Sequence, residues 1–406
     1  MMNNLTRLEP FHVLVSGPIR LKIGKLLSIT SQKPLCRQHF PHLPRSGGLE
    51  LLAPSKAMES KQTVHMNQGQ GETSYALNSS YQNAEQNRMA PLIETAITEL
   101  CSNTNTLSHG KMVIADLGCS SGPNALVLVS TAIKAIHNHC LCLQQAAPEV
   151  CVLLNDLPDN DFNTVVKSLL TLRQSNEPVV VTGITPGSFY ERLFTSGSLH
   201  LVCSSCSLHW LSKSPEVLVK NHIAAYDIDE NTRRERLPIV HEAYAQQFRK
   251  DFTRFLELRA KELAPSGRMV VSVIGRPSDE FFHIWEVVAH TLSIMASEGM
   301  IDKDKFNSFY VPMYGPSSEE LRQIIQEDGS FSITEMRVHG PENDAVLTPS
   351  QLVNEMRAVF EPIIVQHFGD VMDEFARIGL RHFSLEGSLQ DVLAKDTMVA
   401  VSLTKA

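Results

Sequence analysis

The chain of 406 residues is short of several things, and each shortage narrows what it does. It has no basic excess: 36 Lys and Arg stand against 44 Asp and Glu, a net charge of −8, which argues against nucleic acid as the main partner. No apolar run approaches the roughly 18 residues needed to span a bilayer, so no membrane partner is expected. Its eight cysteines show no repeated metal-ligand spacing. The lone Cys203-x-x-Cys206 ends an apolar strand without a second pair and reads as ordinary buried thiols. Such thiols suit a reducing, cytoplasmic compartment. Aromatics are sparse at 6%, with only two tryptophans, so each Trp merits a separate reading. There is no internal repeat and no long low-complexity tract.

What is present begins with an unusual amino terminus. Residues 1–57 hold eight Lys or Arg and only Glu9 and Glu50 as acids. This basic, proline-containing stretch with little periodicity reads as a disordered tail or an upstream extension, with an organelle transit peptide as the other reading of an acid-poor leader. Met58 stands just before the first recognisable motif.

From about residue 88 the pattern becomes regular. Apolar strands are predicted at 111–117, 150–154, 179–184, 200–204 and 268–274, separated by helices at 124–139, 161–172 and 240–264, with a helix at 88–101 ahead of them. Strands alternating with helices give an α/β fold with a parallel sheet covered on both faces. After Gly275 the alternation weakens, with helices at 281–298, 317–328 and 350–377 and short strands near 331–338 and 396–403. The expected organisation is an α/β domain over 58–275, with an insertion at 212–238, followed by a mostly helical cap plus final strands over 276–406. The stretches 212–238 and 276–316 would close an acceptor pocket over the carboxyl edge of the sheet.

The first strand runs through Ile114, Ala115, Asp116 and Leu117 into Gly118-Cys119-Ser120-Ser121-Gly122-Pro123-Asn124. A strand ending in an acid and a glycine turn builds a nucleotide pocket at the carboxyl end of the sheet. The Gly-x-x-x-Gly spacing is not the Gly-x-Gly-x-x-Gly of dinucleotide enzymes, and no P-loop lysine follows. A methionine-linked nucleoside fits better than a pyrophosphate.

Other strand ends supply further polar groups. Asp116 would attract a cationic ligand end or simply cap the turn. Asp156 would grip ribose hydroxyls or form a turn before Pro158. After the third strand, Ser188 could bond an adenine nitrogen and Phe189 stack on the ring, or the aromatic could be a core anchor. After the fourth, His209 reads as a base, a donor or a satisfied polar residue. Trp210 reads either as an indole donor to an acceptor oxygen or as core. Residues 65–82 (HMNQGQGETSYALNSSYQ) look like a ligand-covering loop entering a helix, or a flexible surface segment.

These motifs, with IADLGCSSGPN at 114–124, LNDLPDNDFN at 154–163, PGSFYERLF at 186–194, SSCSLHWLS at 204–212 and GRMVVSVIGR at 267–276, together resemble the plant SABATH family of S-adenosylmethionine-dependent methyltransferases over residues 62–403. The resemblance implies a Rossmann-like class I methyltransferase fold, a homodimer, S-adenosyl-L-methionine as methyl donor and a small carboxylic acid of the salicylate, benzoate or jasmonate class as acceptor. It implies that Tyr75, Ser79, Asp116, Cys119, Asn124, Asp156, Leu157, Ser188 and Phe189 line the donor site. Gln82 and Trp210 match the two donors that hold the acceptor carboxylate. Cys206, His209, Ile274, Ile284, Trp285 and Tyr314 match acceptor-pocket positions.

Two positions depart from the family pattern. Asn67 replaces the Lys that salicylate-type members often carry, and jasmonate-type members can carry Asn. The Asp-x-Phe-Asn motif linked to a divalent ion such as Mg2+ reads Asn307-Ser308-Phe309-Tyr310 here, which lacks the acid. Asn221 loosely matches another such ligand position. Trp285 and Ile284 favour a flat aromatic acid; the small Cys206 beside the His209-Trp210 pair leaves room for a jasmonate-type one. The other readings are N-methylation of xanthines and a non-catalytic acid-binding protein.

Overall fold

The computed structural model describes residues 64–102, 110–170, 172, 178–277, 285–340, 347–385 and 397–406. Residues 1–57 and Ile284 lie outside these.

Seven strands form one sheet in the order β3-β2-β1-β4-β5-β7-β6. They are β1 (Lys111–Leu117), β2 (Glu149–Asp156), β3 (Val180–Pro186), β4 (Leu199–Ser205), β5 (Leu263–Ile274), β6 (Phe331–His339) and β7 (Met398–Lys405). β1 to β5 pair in parallel. The sheet is mixed rather than wholly parallel, because β7 inserts between β5 and β6 antiparallel to both.

Alternation along each strand feeds two cores. Met112, Ile114, Val150, Val152, Leu201 and Val270 face α2 (Ala90–Ser102) and α3 (Val127–Cys142). Ala115, Leu117, Val202, Met269, Val271 and Val273 face the second core, shared with α6 (Glu230–Glu262), α7 (Glu286–Ser297), α9 (Ser318–Asp328), α10 (Pro349–Phe368) and α11 (Met372–Phe383). Each large apolar side chain buried this way contributes about 1.5–3 kcal/mol. Among the described residues, one stretch, Pro123–Cys142, is long and apolar enough to cross a membrane. That corrects the expectation that no run approaches this length. Its Leu128, Val129, Ala132, Ile133 and Ile136 are spent on the sheet, so it is a core helix.

The remaining helices are α1 (Ser80–Arg88), α4 (Phe162–Leu169), α5 (Glu216–Lys220) and α8 (Lys303–Asn307). Two expected helices changed shape. α6 starts ten residues early, inside the expected insertion, because the Asp229 carboxylate caps the Thr232 N–H at 2.8 Å. The charged residues 230–236 gave no apolar periodicity from which to read that turn. The single helix expected at 350–377 is two. Gly369, at φ +90°, ends α10, and α11 starts three residues on.

Candidate functional site

The carboxyl ends of all five parallel strands open into one cavity of about 570 Å3. β1 contributes Gly118 and Ser120; β2 contributes Asp156 and Leu157. Beyond β3 lie Ser188, Phe189 and Tyr190. β4 leads to Cys206, Ser207, His209 and Trp210, and β5 ends at Ile274 and Gly275. Above them, the 64–79 loop adds Tyr75, α1 adds Gln82, and α10 adds Leu352, Glu355, Met356, Val359 and Phe360.

The glycine turn has little freedom. Gly118 has φ +75°, and a Cβ there would lie 2.3 Å from Ser207 Oγ. The Gly118 and Cys119 N–H groups both donate to the Asn155 carbonyl at 2.9 Å. Ser120, non-glycine at φ +53°, turns its N–H onto Asp156 Oδ2 at 2.6 Å. Cys206, at φ +52°, is the second strained residue lining the cavity. Strain of this kind gathers where a site fixes the backbone.

Two carboxylates end adjacent strands here. Burial, with the nearby Asp156 charge second, pushes Asp116 up to about 8. Burial likewise raises Asp156 to about 6, opposed by hydrogen bonds from the Ser120 and Leu157 N–H groups and by His65. Asp116 Oδ2 is buried with no hydrogen-bond partner among the described residues. Asp156 accepts from Leu157 N–H at 2.7 Å on its other oxygen, leaving lone pairs on both oxygens for hydroxyl groups. Phe189, edge-on to Tyr190 and Phe255, offers an aromatic wall. The Asp156 carboxylate, with lone pairs left on both oxygens, and the flat apolar wall of Phe189 fit a ribose and an adenine, and hence the nucleoside of S-adenosylmethionine.

Not every residue expected to line the donor site does so. Asn124 Nδ2 donates to Ser79 O and Ser79 Oγ, both at 2.9 Å, and accepts from Asn83. Ser79 and Asn124 therefore clip the covering loop to the turn, behind the cavity wall. Cys119 is buried with its thiol raised by burial, and Asp116 stands behind the lining.

The rest of the cavity is lined largely by aliphatic and aromatic side chains, with Gln82, His209, Trp210, Lys213 and Glu355 among them. Gln82 has a buried amide Oε1 with no partner among the described residues. Trp210 lines the cavity with its ring 5.9 Å from that of Phe360. Its backbone bridges Met313, while Tyr190 Oη donates to its carbonyl at 2.7 Å. His209 is buried, accepts the Ile274 N–H on Nδ1 at 3.3 Å, and is pushed down to about 3 by burial. It is a neutral imidazole at physiological pH and a weak base. Lys213 pairs with Glu216.

Two expected acceptor residues do not line the cavity. Trp285 is buried, stacks toward Tyr244 and donates its indole N–H to Met313 O at 3.1 Å. Tyr314 is committed to Glu320 at 2.8 Å and to His241. Both satisfy their polar atoms within the core, which is what burial demands of them. The neighbours Val287, Val288 and Met313 line the wall instead. Asn67 donates its amide to Thr73 and lies outside this cavity. At the positions linked to a metal, Asn221 bonds its own helix at Val217 O, Asn307 is exposed and Phe309 packs on His367 and Phe368. Among the described residues no three His, Cys, Asp or Glu side chains are grouped to hold an ion.

Residue-by-residue reading missed Ser207, which donates to Gly118 O at 3.0 Å, and the α10 face. The spacing of Leu352, Met356, Val359 and Phe360 carried a helical signal, yet nothing local aimed it at the site.

The mixed seven-strand sheet, with one cavity at the carboxyl ends of its parallel strands, has the Rossmann-like fold of a class I methyltransferase. The sequence profile described as SAM dependent carboxyl methyltransferase matches residues 61–406. Jasmonate O-methyltransferase of Arabidopsis thaliana is 38% identical over 361 residues, 78% of this chain and 92% of that one. Caffeine synthase 3 of Camellia sinensis is 37% identical over 365 residues, 85% and 97% of the two chains. A solved loganic acid methyltransferase with SAH superposes with a TM-score of 0.72 at 28% identity, covering 84% of this chain and 98% of that one. The chain belongs to this family, the plant SABATH methyltransferases, and is S-adenosylmethionine-dependent.

Proposed function

We propose that the protein is a carboxyl O-methyltransferase that forms the methyl ester of a small acid of the jasmonate class. The observation that carries this reading is that two side chains with neutral N–H groups, Gln82 and Trp210, line the cavity alongside Val287, Val288, Met313, Met356, Val359 and Phe360. S-adenosylmethionine, when bound, supplies an electrophilic methyl group on a sulfonium. The residues of the chain do the rest. The Gln82 amide and the Trp210 indole each offer an N–H to one carboxylate oxygen, which turns the other toward the donor half. A carboxylic acid with a pKa near 4 is already ionised at neutral pH, so no residue needs to remove a proton. His209, neutral and weakly basic, fits that requirement. Val287, Val288, Met313, Met356 and Val359 exclude water from the nucleophile. Positioning of this kind can supply roughly 7–11 kcal/mol.

The wall supports the acceptor class. With Trp285 buried in the core, the flat slot expected for benzoate or salicylate loses its main residue. Flexible aliphatic side chains suit a bulkier alicyclic acid, and the 38% identity to a jasmonate enzyme agrees with it. Caffeine synthases of nearly equal identity favour a second reading, N-methylation of a xanthine. A xanthine carries no carboxylate for two donors to share.

Incubating the protein with S-adenosylmethionine and jasmonic, salicylic and benzoic acids, or 7-methylxanthine, separates these. Methyl jasmonate is the expected product; N-methylated xanthine without any ester would reverse the assignment. With the accepted acid, Gln82→Ala should raise KM or lower kcat at least about tenfold.

A further inference from the structure

Helix α6 carries three buried charged residues that touch neither cavity wall, and each is committed to a loop that does. Arg259 and Glu262, at the carboxyl end of α6, are fully buried. Arg259 forks its guanidinium onto two backbone carbonyls, Phe189 O at 3.1 Å and Glu191 O at 3.0 Å. Its Nε forms an ion pair with Glu262 Oε2 at 2.8 Å. Glu262 Oε1 accepts the Leu193 and Phe194 N–H groups at 2.8 and 3.1 Å and faces Arg192 Nε at 3.2 Å. Together they hold the backbone of residues 189–194 at four points. That loop follows β3 and presents Ser188 and Phe189 to the donor half.

Two turns earlier on the same helix, Asp251 is buried beneath the other loop. One oxygen accepts the Ser212 N–H and the other the Ser212 hydroxyl, both at 2.8 Å, with Gln247 Nε2 at 3.0 Å from the latter. Ser212 stands two residues after Trp210 in the loop that lines the acceptor half.

A buried charge is costly unless it is fully used, and removing one partner strands the other. Hydrophobic residues of similar volume would pack α6 onto the sheet without that cost. The charges are spent on backbone groups of two active-site loops, which side-chain packing alone would not fix in register.

We propose that Arg259 with Glu262, and Asp251, are positioning residues: the first pair sets the donor-half loop, and the second sets the Trp210 loop. α6 is then a common spine that holds methyl donor and acceptor in register. The Asp251 half rests on the proposed orienting role of Trp210; the Arg259 half rests only on the donor site. The Tyr190 Oη–Trp210 O hydrogen bond and the Asp251 charge near Tyr190 join the loops, so the two effects are separable though not wholly independent.

The test uses two readouts that need no acceptor: S-adenosylhomocysteine affinity by titration calorimetry, and acrylamide quenching of tryptophan fluorescence. Trp285 is buried, so quenching reports Trp210. Arg259→Met should weaken S-adenosylhomocysteine binding about tenfold or more, while quenching changes less than about twofold. Should that variant not fold, Arg259→Lys keeps the charge for Glu262 but cannot fork two carbonyls, and the same pattern is expected. Asp251→Asn should leave S-adenosylhomocysteine affinity within about twofold and increase quenching. In transfer to the accepted acid it should raise acceptor KM with little change in donor KM. Parallel loss of both readouts in both variants, or donor affinity unmoved in both Arg259 variants, would overturn the proposal. Failure of the acid panel with the split intact would sink only the acceptor assignment.

Discussion

Asp116 shows how much a single side chain at a strand end can reveal about a site. Its carboxyl is ordinarily ionised above 3.8, and burial against a second acid carries it to about 8. The folded chain therefore binds a proton that the unfolded chain releases near pH 4. Stability from this group is fully present below about pH 4 and is lost as pH rises through about 8. Asp156 adds a smaller loss ending near pH 6. Asp116→Asn removes the larger effect. In thermal unfolding without ligand, the variant should gain on the parent steadily from pH 5 to pH 8. Parallel Tm curves over that range would show that Asp116 is not held neutral. This acid was legible in the sequence as a strand-terminal residue before glycine. Its proton was not, because the raised value comes from burial and from Asp156, 40 residues away.

At the scale of elements, α10 matters most to the acceptor half. Thr348 and Gln351 form a reciprocal cap at its first turn, with Pro349 at the first helical position. The Asn67 N–H donates to Ala358 O at 2.8 Å and Ser80 Oγ to Glu355, tying the covering loop and α1 to this helix. Thr348→Ala should cost about 1 kcal/mol, seen as a lower midpoint in urea with unchanged slope. An unaltered midpoint would mean that the first turn is held by its tertiary contacts alone. Most strands were readable from runs of β-branched and apolar residues, within about two residues at most ends. β5 is the exception, starting at Leu263 rather than 268, where Pro265-Ser266-Gly267 hid its first turn of chain. The start of α6 and the α10–α11 break were not readable, since one rests on a cap ahead of a charged run and the other on a single glycine.

For the whole molecule, the site is a product of topology. Gln82, Asp156, Phe189 and Trp210 are spread over 129 positions yet line one cavity: the last three follow or end parallel strands at one edge, and α1 brings Gln82 over it. Motif matching placed those four on the cavity. It also placed Trp285 and Tyr314 there, which the fold spends on core hydrogen bonds to Met313, Glu320 and His241. No local pattern distinguishes an aromatic that faces a ligand from one that faces the core; only the packing of α6, α7 and α9 decides it. The most direct measurement is a structure of the protein with S-adenosylhomocysteine and its accepted acid. Both Gln82 Nε2 and Trp210 Nε1 should lie within about 3.2 Å of carboxylate oxygens. A carboxylate seated on His65 or Lys213, with the amide and the indole unengaged, would contradict the two-donor clamp.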